Sequence, residues 1–178
     1  SPSLAKATQQ LITSTQAGLD DAEWGLDHGT WSVLRHLYPD ADIPVVQLSI
    51  DHFKTPQEHY ALAKELSALR RKGILIVGSG NIVHNLRMIA WDHNDVEPFG
   101  YDWALEVDEK VKHAILNGNH AFLTNFHENG EAFRLAIPTA EHYLPLLYTV
   151  ALQEPADNVS IFNDKPIQGS LTMTSVIV

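Results

Sequence analysis

A chain of 178 residues with 44% hydrophobic and 19% charged side chains is long enough to bury one core of ordinary size. No apolar run approaches the roughly 20 residues that span a bilayer, and a net charge of -10, from 22 acidic against 12 basic residues, argues against nucleic acid as a partner. The absence of cysteine excludes disulfides, thiolate-held zinc, iron-sulfur clusters and thiol catalysis, so any metal has to be held by histidines and carboxylates. The same composition fits a cytoplasmic protein. The opening "SPSLAKATQQ" has neither an initiating Met nor the basic and apolar regions of a signal peptide, and reads as an internal start.

Leu4, Ala7, Leu11 and Ile12 recur at helical spacing, which predicts an amphipathic helix from Leu4 to Leu19, ending near Gly18. Thr30 is placed to cap a short helix through Trp31, Leu34 and Leu37, stopped by Pro39. "PVVQLSI", residues 44–50, has the β-branched composition of a strand. Thr55, Pro56 and Glu58 occupy the cap, first and third positions of a helix that runs to Lys72 and closes at Gly73. "ILIVGSG", residues 74–80, reads as a strand buried on both faces, so that strand, helix and strand form a right-handed βαβ unit. Trp103, Val107, Val111 and Ile115 predict a further helix, ended by "NGN" at 117–119. Thr139 is expected to cap a helix that kinks at Pro145, and the tail to form an antiparallel hairpin from "NVSIFND" and "SLTMTSVIV" around "KPIQG". The fold class expected is α/β: a mostly parallel sheet with helices on both faces and antiparallel C-terminal strands, in a single domain over 1–178.

Three of the 10 histidines stand where chemistry could gather. His84 follows "GSGN" at a strand end, where ligands collect in open α/β sheets; the glycines admit close approach, Asn81 offers an amide, and a helix starting there would turn its N-terminal amides toward an anion. The competing reading is a plain turn with a packed histidine. His28 lies between Asp27, which could orient its imidazole, and Gly29. His142 is in a first helical turn beside Glu141, a place where an acidic residue also answers the helix dipole. His36, His52, His59, His93, His113, His120 and His127 lie mostly among polar residues and read as solvated. No zinc-protease helix, hydrolase elbow or phosphate-binding loop motif is found.

"WGLDHGTWSVLRHLYPDADIPVVQLSID", "GSGNIVHNLR", "EHYLPLLY" and "GSLTMTSV" together resemble the class III extradiol ring-cleavage dioxygenases, nearest to their bacterial DOPA 4,5-dioxygenase-like branch. The resemblance covers nearly the whole chain in the same order. It implies an α/β fold and a non-haem metal, Fe(II) or in some purified forms Zn(II), that opens the ring of a catechol such as DOPA with O₂ beside its hydroxyls. By motif, His84 matches the family's acid-base histidine and, in some metal-bound forms, a ligand. His142 matches a metal ligand, with Glu141 as the alternative. His28 matches a second catalytic pocket histidine, and Asp27, Asn81 and Tyr143 are expected toward the substrate. The family's Gly-His-Gly-Ser-Pro-like loop and Ser-Ala-His-like segment, which carry two further ligands, do not occur here. The sequence therefore reads as the C-terminal two thirds of the family domain, inactive as given, with an apolar edge that favours association with the N-terminal part or with another copy. A non-catalytic metal-binding or protein-interaction relative is the alternative.

Overall fold

The computed structural model describes residues 1–20, 22–93 and 97–178. In chain order the helices are α1 (Pro2–Leu11), α2 (His28–Leu37), α3 (Pro56–Glu65), α4 (Ser67–Arg70), α5 (Asp102–Leu116), α6 (His120–Thr124), α7 (Glu131–Ala136) and α8 (Leu144–Val150). The tail carries β1 (Ser160–Phe162), β2 (Pro166–Ile167), β3 (Leu171–Thr172) and β4 (Ser175–Ile177). None of the described helices is long and apolar enough to cross a membrane.

Local chemistry sets the helix ends. Thr55 and Glu58 form a reciprocal capping box at the start of α3, with Pro56 in the first turn where its lack of an N–H costs nothing. The carboxylate of Glu65, at the end of α3, accepts from the backbone N–H groups of Thr13 and Ser14. Those amides are thereby drawn out of helical pairing, so α1 stops at Leu11 and does not continue to Leu19. Asp27 caps α2, accepting from Thr30 N–H at 2.8 Å; Thr30 lies inside the helix and is not its cap. α8 begins at Leu144 with Pro145 in its first turn, so the proline starts this helix where a kink was expected.

Two apolar clusters share α8. The larger packs Val107, Val111 and Ile115 of α5 against Phe133 and Ala136 of α7, Leu147 and Val150 of α8, and Ile82 and Val83. The smaller packs Leu62, Ala63, Leu66 and Leu69 of α3 and α4 against Ile12 and the Tyr148 and Ala151 end of α8. Side chains buried this fully contribute about 1.5–3 kcal/mol each, which makes α8 the central strut. Lys112 on α5 reaches Asp164 at 2.7 Å and Asp108 at 3.1 Å, tying that helix to the tail.

The tail is antiparallel, as expected: β1 pairs with β4 and β2 with β3, one hairpin nested within the other. The mostly parallel sheet is not observed. Among the described residues the sheets are these two antiparallel pairs, and neither 44–50 nor 74–80 forms a strand. A strand needs a neighbour to complete its ladder. Residues 74–77 are also covered on one side only: Ile74 and Ile76 pack on the smaller cluster, whereas Leu75 is 65% and Val77 48% exposed.

Candidate functional site

Residues 78–80 run tightly against the segment that leads into α8. A Cβ at Gly80 would collide with the carbonyl oxygen of His142, and one at Gly78 with that of Pro145, so only glycine permits this approach. Asn81 N–H donates to the His142 carbonyl at 2.9 Å, fixing the two segments in register. His84 and His142 then meet as stacked rings, with centroids 3.5 Å apart and planes 13° from parallel. Both side chains are half-buried.

No helix begins at Asn81: residues 81–85 instead lie along the tail, with His84 bridged antiparallel to Leu171, and a single 3₁₀ turn follows at Leu86–Met88. Helix-terminus anion binding is therefore not what this loop offers. Thr172 donates its backbone N–H to the Val83 carbonyl and accepts the Val83 N–H at its hydroxyl, and this tether competes with helix formation.

Burial, reinforced by the neighbouring His142, lowers the pKa of His84 below the ordinary imidazole value, against the opposing pull of Glu141. Burial works to raise Glu141, but the hydroxyl of Thr139, donating at 2.7 Å, the backbone N–H of Glu141 itself and then the two imidazoles outweigh it and hold the carboxyl below its usual range. The site is thus a half-buried imidazole pair beside an ionised carboxylate.

The other sequence candidates divide. Ser79 donates its hydroxyl to the Gly29 carbonyl at 2.7 Å, which brings the "DHG" turn onto the "GSGN" loop. His28 itself is exposed at the first position of α2. Asp27 does not orient it through any observed bond: one carboxylate oxygen caps α2 and the other accepts from Gln47 Nε2 at 3.2 Å. Asn81 spends its amide nitrogen on the Thr172 carbonyl at 2.8 Å, leaving the amide oxygen as the group that can face a ligand. Tyr143 is a core residue, 1% exposed, its hydroxyl donated to the Leu123 carbonyl at 3.1 Å; burial pushes its pKa far up, and this placement does not carry the expected substrate contact.

Imidazole nitrogen and carboxylate oxygen suit Fe(II) or Zn(II), so His84, His142 and Glu141 have the right donor chemistry. They form part of a site only: among the described residues no group of three or more such side chains is arranged to hold an ion. Nearly parallel rings also keep their in-plane lone pairs in two separate, near-parallel planes.

Sequence reasoning passed over the residues that hold this pair. Ser170 is fully buried, Thr172 is 2% exposed and Asn85 5% exposed. Polar residues at alternate positions of an otherwise apolar tail, set opposite an Asn beside the histidine, were the available signal.

A half-buried imidazole pair with an adjacent carboxylate, on a loop that admits close approach, has the side-chain chemistry that histidine-based metal or acid-base sites use. The chain is a member of the family described as the catalytic LigB subunit of aromatic ring-opening dioxygenase, whose model matches residues 1–159. It is 44% identical to the 4,5-DOPA dioxygenase extradiol of Escherichia coli (strain K12), over 99% of this chain and 65% of that protein. It is 35% identical to the 4,5-DOPA dioxygenase extradiol of Mirabilis jalapa, over 82% of this chain and 53% of that protein. The crystal structure of an uncharacterized protein from Escherichia coli K12 superposes with a TM-score of 0.90 at 40% identity, covering 100% of this chain and 73% of that one. The chain thus spans between 53% and 65% of the length of these two curated relatives.

Proposed function

We propose that the protein carrying this chain is an extradiol dioxygenase that opens the ring of a catechol of the DOPA type with O₂, and that His84 is its acid-base group. The observation that carries this reading is the stacked His84–His142 pair, set within a chain whose relatives bear that activity in their names. Fe(II) is the metal that suits ring opening, with Zn(II) able to occupy the same donors. His142 would hold it, with Glu141 as the alternative and His84 as a possible further ligand. The remaining ligands would come from the part of the relatives' length that this chain does not span.

When bound, such a metal supplies a Lewis-acid centre on which catechol and O₂ can be brought together. His84, with its lowered pKa, is neutral at physiological pH and can take a proton from a catechol hydroxyl at its free ring nitrogen, then return it later in the reaction. His142 and Glu141 hold opposite effects on His84: the imidazole disfavours its charged form and the carboxylate favours it. His28, exposed on the "DHG" turn that Ser79 ties to the loop, would meet a substrate that bridges from α2 to that loop. The Asn81 amide oxygen can accept from a substrate hydroxyl.

Residues 74–77, with Leu75 and Val77 outward, support a single domain completed by the N-terminal part of the family fold or by another copy of the chain. That exposed face is also what supports the alternative, a non-catalytic interaction relative. A cytoplasmic location fits the lack of cysteine. The test is anaerobic loading of the full-length protein with Fe(II), followed by DOPA or another catechol and O₂. A yellow ring-opened product is expected; no product with any of several catechols would remove the enzyme reading.

A further inference from the structure

We infer that Asn85 is the positioning residue for His84, acting together with Ser170. The inference rests on the acid-base reading of His84. Asn85 is 95% buried, and four of its groups are bound in different directions. Its N–H donates to the Ser170 carbonyl at 3.1 Å, and its own carbonyl accepts the Ser170 hydroxyl at 2.8 Å. Its Nδ2 donates to the Leu135 carbonyl at 2.8 Å, and its Oδ1 accepts the Arg87 N–H at 3.1 Å. Immediately before it, the His84 N–H donates to the Ala136 carbonyl at 2.9 Å.

Three separate segments are thereby joined at the residue next to the histidine: the end of α7, the tail at 170, and the turn at 86–88. The backbone of His84 is held on both flanks, since Val83 is paired in turn with Thr172. The ring keeps only its side-chain torsions, and its position over His142 follows from a backbone that cannot shift. Only an amide serves here. A carboxylate would set an oxygen against the Leu135 carbonyl where Nδ2 donates, and a hydroxyl is too short to reach Leu135 and Arg87 together. Ser170 is fully buried, so bulk solvent does not reach its hydroxyl bond.

A filler of the core would affect stability alone, whereas a positioning residue affects where the ring sits. The test compares wild type with Asn85→Ala, Asn85→Asp and Ser170→Ala. In the full-length protein, NMR reads the through-space contact between the His84 and His142 rings, alongside a melting curve. In the same protein, kcat and KM are measured for a catechol. The ring contact is expected to weaken or vanish in all three variants, with kcat falling on the order of 100-fold and KM staying within about twofold. Should Asn85→Ala fail to fold, Ser170→Ala, which removes one hydroxyl, still gives the reading. An unchanged ring contact in a folded Ser170→Ala or Asn85→Asp protein, whatever its melting temperature, overturns the inference. Absence of turnover in wild type would remove the dioxygenase reading alone, because the ring contact is read without it.

Discussion

The rings of His84 and His142 face each other at 3.5 Å although the two residues are far apart in sequence, and two glycines make that approach possible. Under the proposed function, each histidine of the pair has a separable role. His142→Ala should lower affinity for Fe(II) or Zn(II) by at least about tenfold, as loss of a ligand or of its support does. His84→Ala should leave affinity nearer to wild type and remove turnover. Calorimetric metal titration beside product formation distinguishes them, and equal loss of metal from both variants would make His84 a ligand first.

Gly80→Ala tests the backbone approach without touching a histidine. Its methyl would strike the His142 carbonyl, a backbone atom that cannot swing aside. Overpacking of this kind costs about 1–3 kcal/mol, so the urea midpoint should fall and the His84–His142 contact should loosen with it. A midpoint equal to wild type would show that the segments have slack the structure does not display.

Leu147, fully buried in the larger cluster at the middle of α8, carries the packing that seats His142 nearby. Leu147→Ala should cost about 2–5 kcal/mol in equilibrium unfolding, through lost transfer energy and the cavity left behind. A cost under about 1 kcal/mol would mean α8 is not the shared strut.

Acid should weaken the fold through His59. This residue of α3 is fully buried on the side facing Tyr148 of α8, with Nδ1 2.9 Å from the Tyr148 hydroxyl and Nε2 3.1 Å from the Asp51 carbonyl. Burial lowers its pKa below 6.5, against the opposing pull of Asp51. The unfolded chain therefore takes up the proton first, and the stability contributed by neutral His59 is complete above pH 6.5, lost as the pH falls below it, and level again beneath the lowered folded value. Denaturation midpoints from pH 8 to pH 5 should show this decline, and His59→Gln should reduce it, leaving the part that His84, also lowered by burial, contributes. Asp157, which Arg70 holds down to about 2, loses its own contribution only in much stronger acid, so the two steps are separable.

How much of this was legible varies residue by residue. The α3 cap could be read from Thr55, Pro56 and Glu58 because each acts on its own turn, and the α5 pattern from Val107, Val111 and Ile115 because they share one face. The same rule would have found His59, which stands three, four and seven residues before the buried Leu62, Ala63 and Leu66; its polar type hid its place on that face. Residues 74–80 misled because an apolar run states that it wants covering and not which neighbour covers it. The His84–His142 stack was out of reach of spacing altogether, since a tertiary approach made through Gly78 and Gly80 leaves no period in the sequence. Motif resemblance singled out both residues, and the structure brings them into contact.

The exposed Leu75 and Val77 predict association. In sedimentation velocity the chain should run larger than a monomer at micromolar concentration, and Leu75→Glu with Val77→Lys should return it to monomer. A wild-type chain monomeric at every concentration would leave this face without a partner of its own kind.

Oxygen uptake by the full-length protein, loaded anaerobically with Fe(II) and given DOPA, measures the proposed role of His84 when wild type and His84→Ala are compared side by side. Wild type should consume one O₂ for each ring opened, with turnover lowered by on the order of 100-fold or more in the variant, as expected for loss of a general acid-base group. Uptake in His84→Ala equal to wild type would contradict that role.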